Sequence, residues 1–395
     1  MAIWDQRGER RLVGERGDDP SVYGLSEPVT EEQPESVALV VREELGLETV
    51  LLRVTGRTSV EVESTQPAAK PPTGFRWVDA QLSPPADLRS QWHRPGWYRS
   101  VVEEVNVRLG ELSLSPIEPP VQRRHTSLTG LLEIPLQESS LWLKAVPPIF
   151  GHEAGVIRWL GQHFSWHVPE VVADGRGWWL SRGFPGVAHE PPAEDYVQML
   201  ARMQIASIGH AEELQAIGCP VRSPAGLAAA MERLAARDDL LDAETRKALS
   251  ASLGQLERCV SELNALDIPP TLIHGDAHQD NVLVTSRGWF LFDWTDSCIS
   301  NPFIDLAVAT RRLSSAQRVR RARAFALEWE AVLKASVVDR AVAAADLVGA
   351  AHEAASYQWF LTEIDVSAED AAGRSRQRES LRRWTHQLIR EVDGL

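Results

Sequence analysis

The chain has 395 residues, 44% apolar and 24% charged; these are globular proportions, and the length exceeds one ordinary core, so two or three domains are expected. A formal charge of −14 at pH 7 argues against nucleic acid or an anionic membrane as partner, because both recruit cationic surface. No apolar run approaches the roughly 18 residues of a bilayer span, residues 1–13 are too charged for a signal peptide, and Cys219, Cys259 and Cys298 form no Cys-x-x-Cys pair, so a cytoplasmic protein with unpaired thiols is expected.

Residues 1–95 mix short apolar runs such as Ala38-Leu39-Val40-Val41 with Pro- and Gly-rich stretches, and residues 67–72 read as a flexible connection. Glu43-Glu44-Leu45-Gly46-Leu47 has the form of a helix end with Gly46 in the stop position. Residues 97–112, with Val101, Val102, Val105, Val107 and Leu109, predict a helix. Leu141-Trp142-Leu143-Lys144-Ala145-Val146 is a β-type run, and residues 153–160 carry apolar side chains at helical spacing; the family resemblance set out below adds strands at 168–172 and 177–184. Beyond Asp305, the Ala- and Arg-rich segments 315–335, 338–365 and 367–392 predict helices.

The chemistry concentrates in Ile273-His274-Gly275-Asp276-Ala277-His278-Gln279-Asp280-Asn281, followed by the apolar run 289–292 and Asp293-Trp294. Asp276, Asn281 and Asp293 thereby fall within one short hairpin. Phosphoryl transfer needs a carboxylate to orient an attacking hydroxyl and hard oxygen ligands to hold Mg²⁺ against nucleotide phosphates. Asp276 fits the base; Asn281 and Asp293 fit the metal. Asp or Asn alone caps turns just as well, and His274 reads as a buried scaffold residue; the three oxygen donors together at this spacing point to the site. The same chemistry asks for a strand lysine and a helix glutamate upstream. The chain has only four lysines, Lys70, Lys144, Lys247 and Lys334, and Lys144 stands on the apolar strand nine residues before Glu153. Lys144 as an edge-strand gatekeeper and Glu153 as a first-turn acid are the plainer alternatives.

The His-Gly-Asp-x-x-x-x-Asn pattern followed by a strand ending in Asp-Trp resembles the aminoglycoside phosphotransferase family of small-molecule kinases, over roughly residues 121–395. The resemblance implies an α+β, bilobal protein-kinase-like fold: an N-terminal α/β cap (1–95), a β-rich small lobe (96–183) and a helical large lobe (184–395). It implies transfer of the γ-phosphoryl group of ATP, or GTP, to a hydroxyl of a small molecule such as an aminoglycoside, sugar, amino sugar or amino alcohol. Lys144 would hold the phosphates with Glu153 positioning it, backbone near Ser181 and Gly183 would meet the adenine, and Asp305 would bond the catalytic-loop backbone or serve only as a first-turn acid. Ser127 and Thr129 stand where a phosphate-cradling loop would lie, although the segment lacks Gly-x-Gly-x-x-Gly. The acceptor would lie between the catalytic loop and the C-terminal helices, with Asp296, His352, Glu353, Tyr357, Glu363 and Asp365 as candidates.

Two other classes bear on the same residues. A protein kinase would need an activation segment of about twenty residues, and only twelve separate Asp293 from Asp305. A silent ligand-sensing module would have lost the lysine, base or metal acid, and none is missing. In the first segment, Glu43-Glu44-Leu45-Gly46-Leu47, with Glu31 before it and residues 73–79 after it, resembles a Nudix box and the strand that follows. Leu39 and Val40 occupy the slots of its Arg-Glu, which implies a degenerate cap without diphosphate hydrolysis.

Overall fold

The computed structural model describes residues 1–4, 6–7, 10–14, 33–56, 59–66, 70–79, 90–183, 194–286, 288–364 and 376–394; Glu31, residues 67–69, Phe184 and Asp365 lie outside the described residues. The chain divides into two compact units, Met1–Ile149 with Val171–Gly183 and Leu361–Arg376, and Phe150–Glu170 with Phe184–Phe360 and Gln377–Leu395. The N-terminal region is β-rich and the C-terminal region helical, as expected of an α+β chain. No helix among the described residues is long and apolar enough to cross a membrane.

The first unit contains two five-stranded sheets. One has the order β3-β4-β1-β2-β5, from β1 (Ala2–Trp4), β2 (Arg10–Gly14), β3 (Thr49–Gly56), β4 (Ser59–Ser64) and β5 (Phe75–Asp79), with β1 and β4 parallel. Helix α1 (Pro34–Leu45) covers it. The apolar run 38–41 belongs to that helix: Val37 and Val41, one turn apart, are buried with Ile3, Leu12 and Leu51, whereas Leu39 and Val40 face solvent. Gly46 ends α1 at φ 67°, its N–H bonded to the Arg42 carbonyl.

The other sheet is antiparallel throughout, in the order β6-β7-β8-β10-β9, from β6 (Val121–His125), β7 (Gly130–Pro135), β8 (Ser140–Ala145), β9 (Val171–Gly175) and β10 (Trp178–Arg182). Helix α2 (Trp97–Glu111) buries Val101, Val105 and Leu109 against Leu132, Leu143 and Leu180. The strand expected at 168–172 begins three residues later; Val168 is nonetheless buried. The two sheets are tied by Gln122 of β6, whose amide accepts from the Leu51 N–H and donates to the Leu51 carbonyl, both at 2.8 Å, taking the part of a strand neighbour. Gln122→Ala strands both buried backbone groups, and a loss of about 1–3 kcal/mol is expected. Urea unfolding followed on the first unit measures it; an unchanged midpoint would contradict the tie.

The second unit opens with α3 (Glu153–Phe164) and continues through α4 (Asp195–Ala206), α5 (Ala211–Ala216), α6 (Pro224–Ala235) and α7 (Ala243–Asn264). Side-chain caps start two of these helices: Ser223 accepts from the Gly226 N–H and Asp242 from the Thr245 N–H. Two short antiparallel pairs follow, β11 (Thr271–Ile273) with β14 (Cys298–Ser300), and β12 (Val282–Thr285) with β13 (Gly288–Leu291). The remainder is α8 (Phe303–Thr310), α9 (Ser315–Trp329), α10 (Ala335–Glu363) and α11 (Arg376–Asp393), close to the expected spans. The three cysteines are free thiols.

Candidate active site

The loop from β11 to β12 is built around a backbone that only glycine can follow at one position. Gly275 has φ +81°, and a Cβ there would lie 2.3 Å from the Asp296 carbonyl oxygen. Asp305, in the first turn of α8 and fully buried, accepts from the His274 and Gly275 N–H groups at 2.8 Å each and from the Gln204 amide at 2.9 Å. It therefore clamps the loop backbone, the role implied above. Burial pushes its carboxyl up to about 6 against the pull of these hydrogen bonds.

His274 is the scaffold residue expected of it. Burial depresses its pKa to about 4, so the ring is neutral. Its Nδ1 accepts from the Asp276 N–H, which puts the proton on Nε2, 3.0 Å from the Phe292 carbonyl. The ring, 4.5 Å from that of Trp294, thus joins the loop to the end of β13. The β12–β13 register and a bond from the Phe292 N–H to the Asn281 carbonyl bring Asn281 beside the end of that strand, next to Asp293. At Asp293 the chain turns through φ 63°, a conformation Asp tolerates better than most side chains, and the Thr295 hydroxyl bonds its Oδ1 at 2.7 Å.

Asp276 is held from several sides. The Asn281 amide donates to its carbonyl at 2.9 Å and to Oδ2 at 3.2 Å, His278 Nε2 lies 3.3 Å from Oδ2, and Arg311 donates to Oδ1 at 3.1 Å. Burial raises the Asp276 carboxyl, and the His278 hydrogen bond with the charges of His278 and Arg311 more than reverses this, keeping it below the usual carboxylate range. With its N–H₂ end on Asp276, Asn281 has its oxygen left for a cation. Amide and carboxylate oxygens are the donors Mg²⁺ prefers, and a sparse set suits an ion that keeps waters and phosphate oxygens. Among the described residues, no group of three or more His, Cys, Asp or Glu could hold a metal.

Arg311 and His278 were not assigned from sequence. Arg311 follows α8 and bridges Asp276 to Glu353, with its guanidinium in contact with the Glu353 carboxylate. Among 41 Lys and Arg no spacing rule marks it; only its position six residues beyond Asp305, just past the helix whose start clamps the loop, was a signal.

In the first unit, Lys144 is a buried residue of β8, paired with Leu131 of β7 and Trp179 of β10, its Nζ 5.9 Å from the Trp179 ring centroid. Ser181 lies opposite Trp142, and the Gly183 N–H bonds the Ser140 carbonyl at 2.8 Å. The β6–β7 turn is closed by Thr126, whose hydroxyl accepts from the Thr129 N–H; Ser127 is buried, and Thr129 is partly exposed. Glu153 opens α3 in the second unit and is fully buried.

The acceptor candidates are more occupied than the sequence suggested. Asp296 lies 3.7 Å from the buried Arg222 guanidinium, Glu353 is taken by Arg311, and His352 is 1% exposed. Tyr357, one turn beyond Glu353, has its hydroxyl pKa raised by burial. Glu363 ends α10 on the surface.

His152, His274 and His352 are depressed by burial to about 4, 4 and 3 from 6.5. Each is neutral when folded and takes up a proton on unfolding below pH 6.5, so the second unit loses stability as pH falls from about 6.5 towards 4. Asp305 and Glu353, both raised by burial, release protons on unfolding and oppose part of this. The urea midpoint is expected to be lower at pH 5 than at pH 7; an equal or higher midpoint at pH 5 would contradict the burial of three neutral imidazoles.

The clamped loop thus gathers the Asp276 carboxylate and the Asn281 amide, with the hairpin that follows leading to a second carboxylate, Asp293. A model of the phosphotransferase enzyme family matches residues 146–345, more than half of the chain, and the chain belongs to that family. Among solved structures it is similar to a macrolide 2'-phosphotransferase type I (14% identity, 73% of this chain and 97% of the other, TM-score 0.50). It is also similar to an ethanolamine kinase of Plasmodium vivax (9%, 72% and 86%, TM-score 0.51) and to an aminoglycoside 2'-phosphotransferase-IIIa in its GDP complex (13%, 74% and 98%, TM-score 0.50). These likenesses concern the fold. No curated protein matches the chain. The family match begins at residue 146 and does not include the segment that resembles a Nudix box.

Proposed function

We propose that this protein transfers the γ-phosphoryl group of ATP, with GTP as an alternative donor, to a hydroxyl of a small molecule in the cytoplasm. Asp276 orients the acceptor hydroxyl and takes its proton; Asn281 keeps the carboxylate turned and, with Asp293, would hold Mg²⁺. That ion supplies charge neutralisation at the phosphates when bound. By family resemblance, Lys144 with Glu153 would serve the nucleotide phosphates together with Ser127 and Thr129, and backbone at Ser181 and Gly183 would serve the base. The observation that supports this most is the direct hydrogen bond from Asn281 to Asp276 on a loop clamped by Asp305. Family membership is consistent with it. The stretch between Asp293 and Asp305 is spent on the turn Trp294–Asp296, β14 and the start of α8, which leaves no peptide platform and speaks against a protein kinase.

The test is nucleotide consumption with ATP and with GTP, in Mg²⁺, with and without a panel of neutral, cationic and anionic hydroxyl compounds. Stimulation by at least one compound and formation of its phosphate ester are expected. No stimulation by any compound, with an Asp276→Asn variant indistinguishable from the parent, would overturn the proposal.

A further inference from the structure

The second unit contains a cavity of about 280 Å³ lined by α8, the residue after it, α9, α10 and α11. Arg311 and Glu353 form part of its wall, and Arg311 also touches Asp276, so the cavity lies one side chain from the proposed base. Its lining carries four arginines and three carboxylates in a chain whose net charge is −14, so the local sign is opposite to that of the protein. The carboxylates are engaged: Glu353 by Arg311, Asp346 by Arg318, and Glu391 by the Gln387 amide.

Arg383 and Arg390 of α11 are the surplus. Among the described residues, Arg390 donates to the Gln387 amide oxygen and Arg383 lies 5.3 Å from the Trp384 ring centroid; neither forms an ion pair. Trp384 lines the same cavity. Arg311 lies 5.4 Å from its ring centroid, and its indole Nε1 is buried without a hydrogen-bond partner. Guanidinium forks match the planar oxygens of a carboxylate or phosphate, and an indole face suits the apolar face of a ring.

We propose that this cavity receives an anionic group of the phosphoryl acceptor, a carboxylate or a phosphate ester held by Arg383 and Arg390, with the acceptor's ring against Trp384. The inference rests on the phosphotransferase reading and narrows it to acidic hydroxyl compounds. A polycationic amino sugar is disfavoured, because its ammonium groups would meet the guanidinium groups of Arg383 and Arg390.

Calorimetric titration of the full chain with glucuronate, glucose 6-phosphate, glucose and glucosamine tests this without requiring turnover, and the two acids separate a carboxylate from a phosphate site. At least one acid is expected to bind about tenfold tighter than glucose, with glucosamine weakest. The Arg383→Gln/Arg390→Gln double variant, altered at two exposed positions of α11, is expected to weaken the acid by about ten- to a hundredfold and leave glucose unchanged. Glucosamine binding as tightly as the acids, no saturable binding of either acid, or a double variant that titrates like the parent would each overturn the proposal. Phosphorylation of glucosamine in preference to both acids would sink this inference alone, whereas binding of the acids with no ester formed from any compound counts against phosphotransfer and not against the anion site.

Discussion

Asp276→Asn is expected to lower kcat by about 10²- to 10⁴-fold, the usual worth of a positioned general base, while leaving the affinity for nucleotide nearly unchanged. The substitution keeps the shape, and Asn281 can still reach the remaining oxygen, so the loop clamped by Asp305 stays folded. What is lost is the acceptor for the hydroxyl proton. Asp293→Ala should differ in kind: its carboxylate would hold the metal, so nucleotide affinity in Mg²⁺ is expected to fall along with turnover. Paired measurements of kcat and nucleotide binding separate the two roles. An Asp276→Asn enzyme with parental kcat, or an Asp293→Ala enzyme with parental Mg²⁺-nucleotide binding, would contradict the assignment.

Arg311→Met carries the second large effect. Arg311 is the cation between Asp276 and Glu353, with side-chain exposures of 16%, 30% and 8% respectively. Removing one partner of a buried ionic group leaves charge uncompensated, at a cost of about 3–5 kcal/mol when burial is complete; the partial exposure of Asp276 places this case towards the lower end. A double-mutant cycle of Arg311→Met with Glu353→Gln in urea reads the coupling between the two side chains. A pH effect accompanies it. Arg311 helps hold the Asp276 carboxyl below its usual range, so without it that pKa rises. Turnover needs the ionised form, and the acidic limb of the kcat/KM profile is expected to move to higher pH. A variant with unchanged stability and an unmoved limb would show that the bridge is idle.

The grouping of Asp276, Asn281 and Asp293 was legible because these residues are close in sequence. Asp276 and Asn281 share one loop, and Asp293 follows β13, which pairs with the strand β12 that leaves that loop, so a local hairpin brings them together with little help from the rest of the chain. Helix α2 was read almost to the residue because a long periodic apolar face declares itself. The apolar run 38–41 gave too short a window to show that it lies on a helix, and helices α4 to α7 were not read at all. The acceptor candidates were taken from the region the family resemblance implies, but Asp296 faces Arg222 and Glu353 faces Arg311, partners distant in sequence that no periodicity exposes.

Local pattern by itself placed Asp276, Asn281 and Asp293 within one hairpin, since hydrophobic period and turn residues act over a few neighbours, and the family resemblance of that motif implied the α+β fold. Tertiary structure alone decided which charges are compensated. Arg311 pairs with an aspartate 35 residues before it and a glutamate 42 residues after it, and the parallel pairing of β1 with β4 closes over an intervening helix and two strands. Such contacts depend on how whole elements pack, because Coulomb and hydrogen-bond energies follow distance in space and not separation along the chain.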